Sequence, residues 1–153
     1  MKTPGRPITL LVADDDPDDR MLMQEALAES RLANDLYFVE DGEELIDYLR
    51  HRGKYAEPSS APRPGLILLD LNMPRMDGRE ALREIKADPD LRRIPVVVLT
   101  TSEAETDIAR SYDLGASSFI KKPVSFAGLV EVTKVLGRYW IEIVELPSEN
   151  AGG

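Results

Sequence analysis

The chain has 153 residues, 42% hydrophobic and 31% charged, which fits one globular domain with a single core. A net charge of −9 argues against an electrostatic nucleic-acid binder, and the lack of cysteine excludes disulfides and thiolate catalysis. A lone histidine, His51, is a poor basis for a His-rich metal site or a Ser-His-Asp triad. No apolar run approaches a membrane span, and the first residues carry no apolar signal core, so a cytoplasmic protein is expected.

Residues 1–7 read as a flexible lead. Residues 8–13 are a short apolar run ending in Asp14-Asp15-Asp16-Pro17-Asp18-Asp19, a strand feeding a helix whose first turn holds proline and acids. Met23, Ala26 and Leu27 recur at helical spacing and predict a helix over 18–31. Residues 36–39 make a second strand, and Leu45, Ile46 and Leu49 mark a second helix after Asp41-Gly42. Over 53–65 the composition turns to Pro, Ser, Gly and charge, which predicts a loop longer than a minimal connection. Leu66 to Leu69 then run straight into Asp70, with Pro74 and Asp77-Gly78 beyond, so the third strand reads as a buried parallel strand ending in a carboxylate. Taken alone, Asp70 fits a turn cap as well as a functional group.

Ala81, Leu82 and Ile85 predict a helix that stops near Asp88-Pro89. Residues 95–99 form a β-branched fourth strand leading into Thr100. Residues 104–114 read as a helix closed by Gly115, and 117–120 as a fifth strand leading into Lys121-Lys122-Pro123. A last helix runs from Phe126 to about Trp140, ahead of a 141–153 tail rich in Glu, Pro, Asn and Gly. Strands alternating with helices over 8–140 predict an α/β domain. Its five-stranded parallel sheet is doubly wound, with right-handed connections and the flavodoxin-like order 2-1-3-4-5.

In that order, the strand ends bring Asp14-Asp15, Asp70, Thr100 and Lys122 into one crevice. Two ionised carboxylates about 4 Å apart repel by roughly 4 kcal/mol at an effective dielectric near 20. Three of them against one lysine call for a hard divalent cation, and oxygen-only donors suit Mg²⁺. A carboxylate held beside Mg²⁺, a hydroxyl and an ammonium can act as nucleophile toward a phosphoryl group. Each residue alone has an ordinary structural explanation; the joint pattern at four strand ends carries the inference.

These residues resemble the receiver domain of two-component response regulators. The acid pair Asp14-Asp15, Asp70 within L-L-D-L-N-M-P-R-M-D-G, Thr100 after V-V-V-L, and Lys122 before Pro123 all match that pattern. The spacings agree too, 30 residues from Asp70 to Thr100 and 22 from Thr100 to Lys122. The resemblance implies that Asp70 accepts a phosphoryl group from the phosphohistidine of a histidine kinase. It further implies Mg²⁺ held by Asp15, Asp70 and the backbone carbonyl of Asn72, with Asp14 acting mainly through a water. Thr100 and Lys122 would hold phosphoryl oxygens, Phe119 would be the switch aromatic, and the Lys122-Pro123 peptide would be cis. The 53–65 loop and the ending R-Y-W-I-E-I-V-E-L-P resemble the small regulators paired with phytochrome-type kinases. A single-domain regulator is therefore expected, a phospho-acceptor with slow self-hydrolysis rather than an enzyme acting on other substrates.

Two other functions compete. A phosphohydrolase using Asp70 as nucleophile wants an acid two residues on, where this chain has Asn72, whose amide cannot protonate a leaving group. A pseudo-receiver that is never phosphorylated would lose members of the acid, Thr and Lys set, and none is missing. On the last helix, Phe126, Leu129, Val130, Thr133 and Trp140 share one face. Gly128, Val132, Val135 and Tyr139 make a second apolar stripe, continued by Ile141 and Ile143. That stripe is expected to pair two copies in a homodimer, unless the tail folds back over it.

Overall fold

The computed structural model describes residues 9–29, 35–71, 73, 75–100, 115–116, 118–121 and 126–136. Strands β1 (Leu10–Ala13), β2 (Leu36–Val39), β3 (Leu66–Leu69), β4 (Val96–Thr100) and β5 (Ser118–Lys121) form one sheet in the order β2-β1-β3-β4-β5. Every neighbouring pair is parallel. The described helices are α1 (Pro17–Glu29), α2 (Gly42–Leu49), α3 (Gly78–Ala87) and α4 (Phe126–Leu136). The helix expected over 104–114 lies outside the described residues.

Successive side chains of a strand point to opposite faces, so a strand covered on both sides must be apolar throughout. Leu11, Ala13, Ile67, Leu69, Val96 and Val98 face one way and pack with Leu45 and Ile46 of α2 and Ala81, Leu82 and Ile85 of α3. Leu10, Val12, Leu66, Leu68, Val97 and Leu99 face the other way, against Met23, Ala26 and Leu27 of α1 and Val130 of α4. The two layers explain why the strands show no polar alternation. Each fully buried Leu or Ile adds about 2 kcal/mol to this core.

Helix starts follow local chemistry. Asp41 caps α2 by accepting from the Glu44 amide at 2.8 Å, and Asp77 caps α3 by accepting from the Glu80 amide at 3.0 Å. α3 ends at Ala87 because Asp88, which precedes Pro89, is extended.

The 53–65 segment is the long connection its composition predicts, with neither α-helix nor strand, but it is built rather than slack. It contains two 3₁₀ turns, Gly53–Tyr55 and Pro58–Ser60, and is tied down along its length. The Tyr48 hydroxyl donates to the Pro62 carbonyl at 2.8 Å, the His51 ring nitrogen lies 2.9 Å from the Ala61 carbonyl, and Ala61 is buried. Tyr37, Tyr48 and Tyr55 stack edge to face, a run of contacts between residues too distant in sequence to appear as a periodicity.

On α4, Val130 is buried as expected. Val132, expected on the exposed stripe, is instead half-buried against the same core cluster as Val130, because α1 lies along α4. Tyr139, Ile141 and Ile143 lie outside the described residues.

Candidate functional site

The sheet register builds the site. Ala13 of β1 pairs with both Val39 of β2 and Leu69 of β3, so Asp14 and Asp70 leave the sheet side by side. The ladder runs one step past the strands: the Asp14 amide donates to the Val39 carbonyl and the Asp70 amide to the Ala13 carbonyl, each at 3.0 Å. Asp14 and Asp70 are consequently fixed at the backbone. Both are buried, at 4% and 8% exposure, whereas Asp15 is exposed.

One carboxylate oxygen from each of Asp14, Asp15 and Asp70 lies within 4.8 Å of the other two. The chain turns from β1 into α1 through side-chain bonds, the Asp16 amide donating to Asp14 Oδ1 at 3.0 Å and the Asp18 amide to Asp16 Oδ1 at 2.9 Å. Two buried acids and one open to solvent make an all-oxygen donor set reachable from one side. That fits a hard divalent cation that keeps part of its water shell.

Gly78 sets how closely α3 approaches. Its amide donates to the Leu71 carbonyl at 3.0 Å, and a Cβ there would lie 2.5 Å from the Asp70 carbonyl oxygen and 2.7 Å from Leu71 Cα. Both are backbone atoms and cannot swing away. Gly78→Ala is therefore expected to destabilise the fold by about 1–3 kcal/mol, read from the urea midpoint at unchanged slope.

Thr100 ends β4 and pairs with Lys121 of β5, so its backbone lies at the carboxyl edge of the sheet. Phe119 pairs with Val98, which pairs with Leu69, placing it on the same register line as the residue before Asp70. Lys121 is the last residue of β5. Asn72, Lys122 and Pro123 lie outside the described residues.

A residue that the sequence pattern did not single out borders the acids. Arg20 donates from Nη1 to the Asp14 carbonyl at 2.7 Å and from Nη2 to Glu40 Oε1 at 3.2 Å. An arginine in an acidic first turn was the available signal, but its partners come from β1 and the β2–α2 turn.

Glu44 closes the next link, accepting from the Glu40 amide at 2.7 Å, from Lys54 Nζ at 2.8 Å and from the Tyr55 hydroxyl at 2.5 Å. Burial pushes the Glu44 carboxyl up, but the hydrogen bonds from Lys54, Tyr55 and the Glu40 amide outweigh it and hold the group below the ordinary range. Burial and the facing Glu44 push the Tyr55 hydroxyl well up.

Comparison with known proteins gives a consistent picture. The family model for the response regulator receiver domain matches residues 10–134. The response regulator Rcp1 of Synechocystis sp. is 42% identical over 142 residues, spanning 93% of this chain and 95% of that protein. The phosphorylated cyanobacterial phytochrome response regulator RcpA superposes with a TM-score of 0.81 at 46% identity, covering 88% of this chain and 94% of that one. The Mn²⁺-bound form of Rcp1 gives 0.80 at 41% identity, covering 90% and 96%.

Proposed function

We propose, from the premise that this chain belongs to the response regulator receiver family, that it is the phospho-acceptor of a two-component signalling pathway. The observation that carries this reading is the meeting of Asp14, Asp15 and Asp70 carboxylates within 4.8 Å at neighbouring strand ends. Asp70 is the acceptor. Its carboxylate oxygen forms the new P–O bond as the P–N bond of the donor phosphohistidine breaks, and the ring leaves as neutral imidazole, keeping the proton already on its other nitrogen. Mg²⁺, when bound, offsets charge on the acids and on the phosphoryl oxygens. Asp15 and Asp70 would hold it, with the Asn72 backbone carbonyl as a further ligand and Asp14 acting through water.

Thr100 donates to a phosphoryl oxygen and Lys122 pairs with another, and Phe119 serves as the switch aromatic. The Lys122-Pro123 peptide is cis in this reading. Output is a change in association, a homodimer built on the α4 face and the residues after it, including Val135, Tyr139, Ile141 and Ile143. The kinase is of the phytochrome type, supported by the phytochrome regulators among the similar structures. Work takes place in the cytoplasm, without nucleic-acid or membrane binding.

A phosphotransfer profile tests the kinase assignment. Radiolabelled kinases, one of them of the phytochrome type, are mixed with this chain, and transfer is followed on gels. The phytochrome-type kinase is expected to give the fastest transfer; equal labelling by all kinases would remove the pairing.

A further inference from the structure

We infer that Arg20 is a positioning residue for the Asp14–Asp15–Asp70 site, and that the 53–65 segment governs its placement through Glu44. The inference rests on the phospho-acceptor reading and names what holds the acids in place.

The strand ladder accounts for one side of Asp14 only. Its amide is bonded to Val39, but β2 ends at Val39, so the sheet supplies no further strand residue there for the Asp14 carbonyl. The Arg20 guanidinium takes that carbonyl at 2.7 Å. A planar fork that holds a backbone oxygen with one arm and Glu40 with the other fixes the turn in two directions. Arg20 is itself held, with its side chain only 18% exposed.

Glu40, the other anchor, is exposed at its side chain and would be a weak post alone. Its backbone is not weak: the Glu40 amide donates to Glu44 Oε1, and Glu44 Oε2 is gripped by Lys54 and Tyr55. Glu44 also sits one turn into the Asp41-capped start of α2, and Gly42 of that start bonds the Met76 carbonyl in the segment after Asp70. A continuous chain thus runs from the packed insertion through Tyr55, Glu44, Glu40 and Arg20 to the backbone of Asp14. Without the insertion, Glu44 would lose two of its donors.

The sign of the effect on cation binding separates positioning from plain electrostatics. Removing a positive charge beside three carboxylates should by itself tighten a divalent cation. Loss of the groups that orient metal ligands weakens binding, commonly by 10–100-fold.

The test is Mn²⁺ titration of the full chain, following free Mn²⁺ by electron paramagnetic resonance, with far-UV circular dichroism as the folding check. Arg20→Ala is expected to weaken Mn²⁺ binding about tenfold. Arg20→Lys, which keeps the charge and one donor for the carbonyl, should recover most of that loss. Tyr55→Phe, which removes only a hydroxyl 35 residues from Arg20 in sequence, should weaken binding measurably with the fold intact. It also stands in if Arg20→Ala fails to fold. Unchanged or tighter binding in Arg20→Ala overturns the role of Arg20, and unchanged binding in Tyr55→Phe overturns that of the insertion. A wild-type chain that binds no Mn²⁺, or binds it equally well as Asp15→Asn, overturns the phospho-acceptor reading itself.

Discussion

Asp70→Asn is expected to abolish phosphorylation, by a kinase or by a small phosphodonor, while leaving the chain folded. The amide matches the carboxylate in shape but its oxygen is a poor nucleophile toward phosphorus. Of the two neighbouring acids, Asp14 accepts from the Asp16 amide through Oδ1 and Asp15 is exposed. The same substitution carries a stability signature that a damaged fold would not. Two unit charges within 4.8 Å of each other repel by about 3.5 kcal/mol or more at an effective dielectric of 20, and by less where solvent reaches the exposed Asp15. In metal-free buffer the variant should therefore melt at or above the wild-type temperature. Undiminished labelling, or a label that survives alkaline treatment destructive to acyl phosphates, would place the acceptor elsewhere.

Withdrawal of divalent cations should act on the same residues from the other side. With a chelator in excess, label transfer is expected to fall to background, and self-dephosphorylation of already labelled protein to stall. The acids would then face each other and the incoming phosphoryl group without the charge of the cation. The effect extends to stability, because a cation that binds only the folded chain adds RT ln(1 + [L]/Kd). That is about 2.7 kcal/mol at a hundredfold excess over Kd, or a rise of roughly 5–10 °C in Tm for a domain of this size. Calorimetry with and without Mg²⁺ reads it directly. A melting temperature indifferent to Mg²⁺, or transfer unaffected by the chelator, would mean that the acid cluster is not a metal centre.

Local physics made much of this fold legible. Leu66 to Leu69, apolar on both faces and ended by Asp70, could only be a strand covered on both sides, and that is how β3 sits. Asp41-Gly42 stood ahead of the apolar pattern of α2, while Asp77-Gly78 marked only the break after β3; in the structure both carboxylates take an orphan amide at a helix start. Alternation of strands and helices gave the layers, and the strand-end acids gave the site, since a parallel sheet gathers its chain turns at one edge.

Other features depended on contacts that no window of sequence contains. The polar 53–65 segment reads as a loop because its anchors, Glu44, Tyr48 and His51, stand before it in the chain. Val132 belongs to an apolar stripe by helical spacing alone, yet the neighbouring α1 half-buries it. Arg20 looked like one more charge on an acidic helix until β1 and the β2–α2 turn came to lie within reach of its two arms.

By itself, then, the sequence determined which residues are strands, which carboxylates end them and at which edge of the sheet those carboxylates gather. Periodicity, capping and the exclusion of proline and glycine from strand interiors all act within a few residues. Only the tertiary structure decided how far apart the acids stand, how closely α3 may approach through Gly78, and what holds the acid turn from behind. Those are distances between segments tens of residues apart, set by sheet register and side-chain packing, which no local pattern encodes.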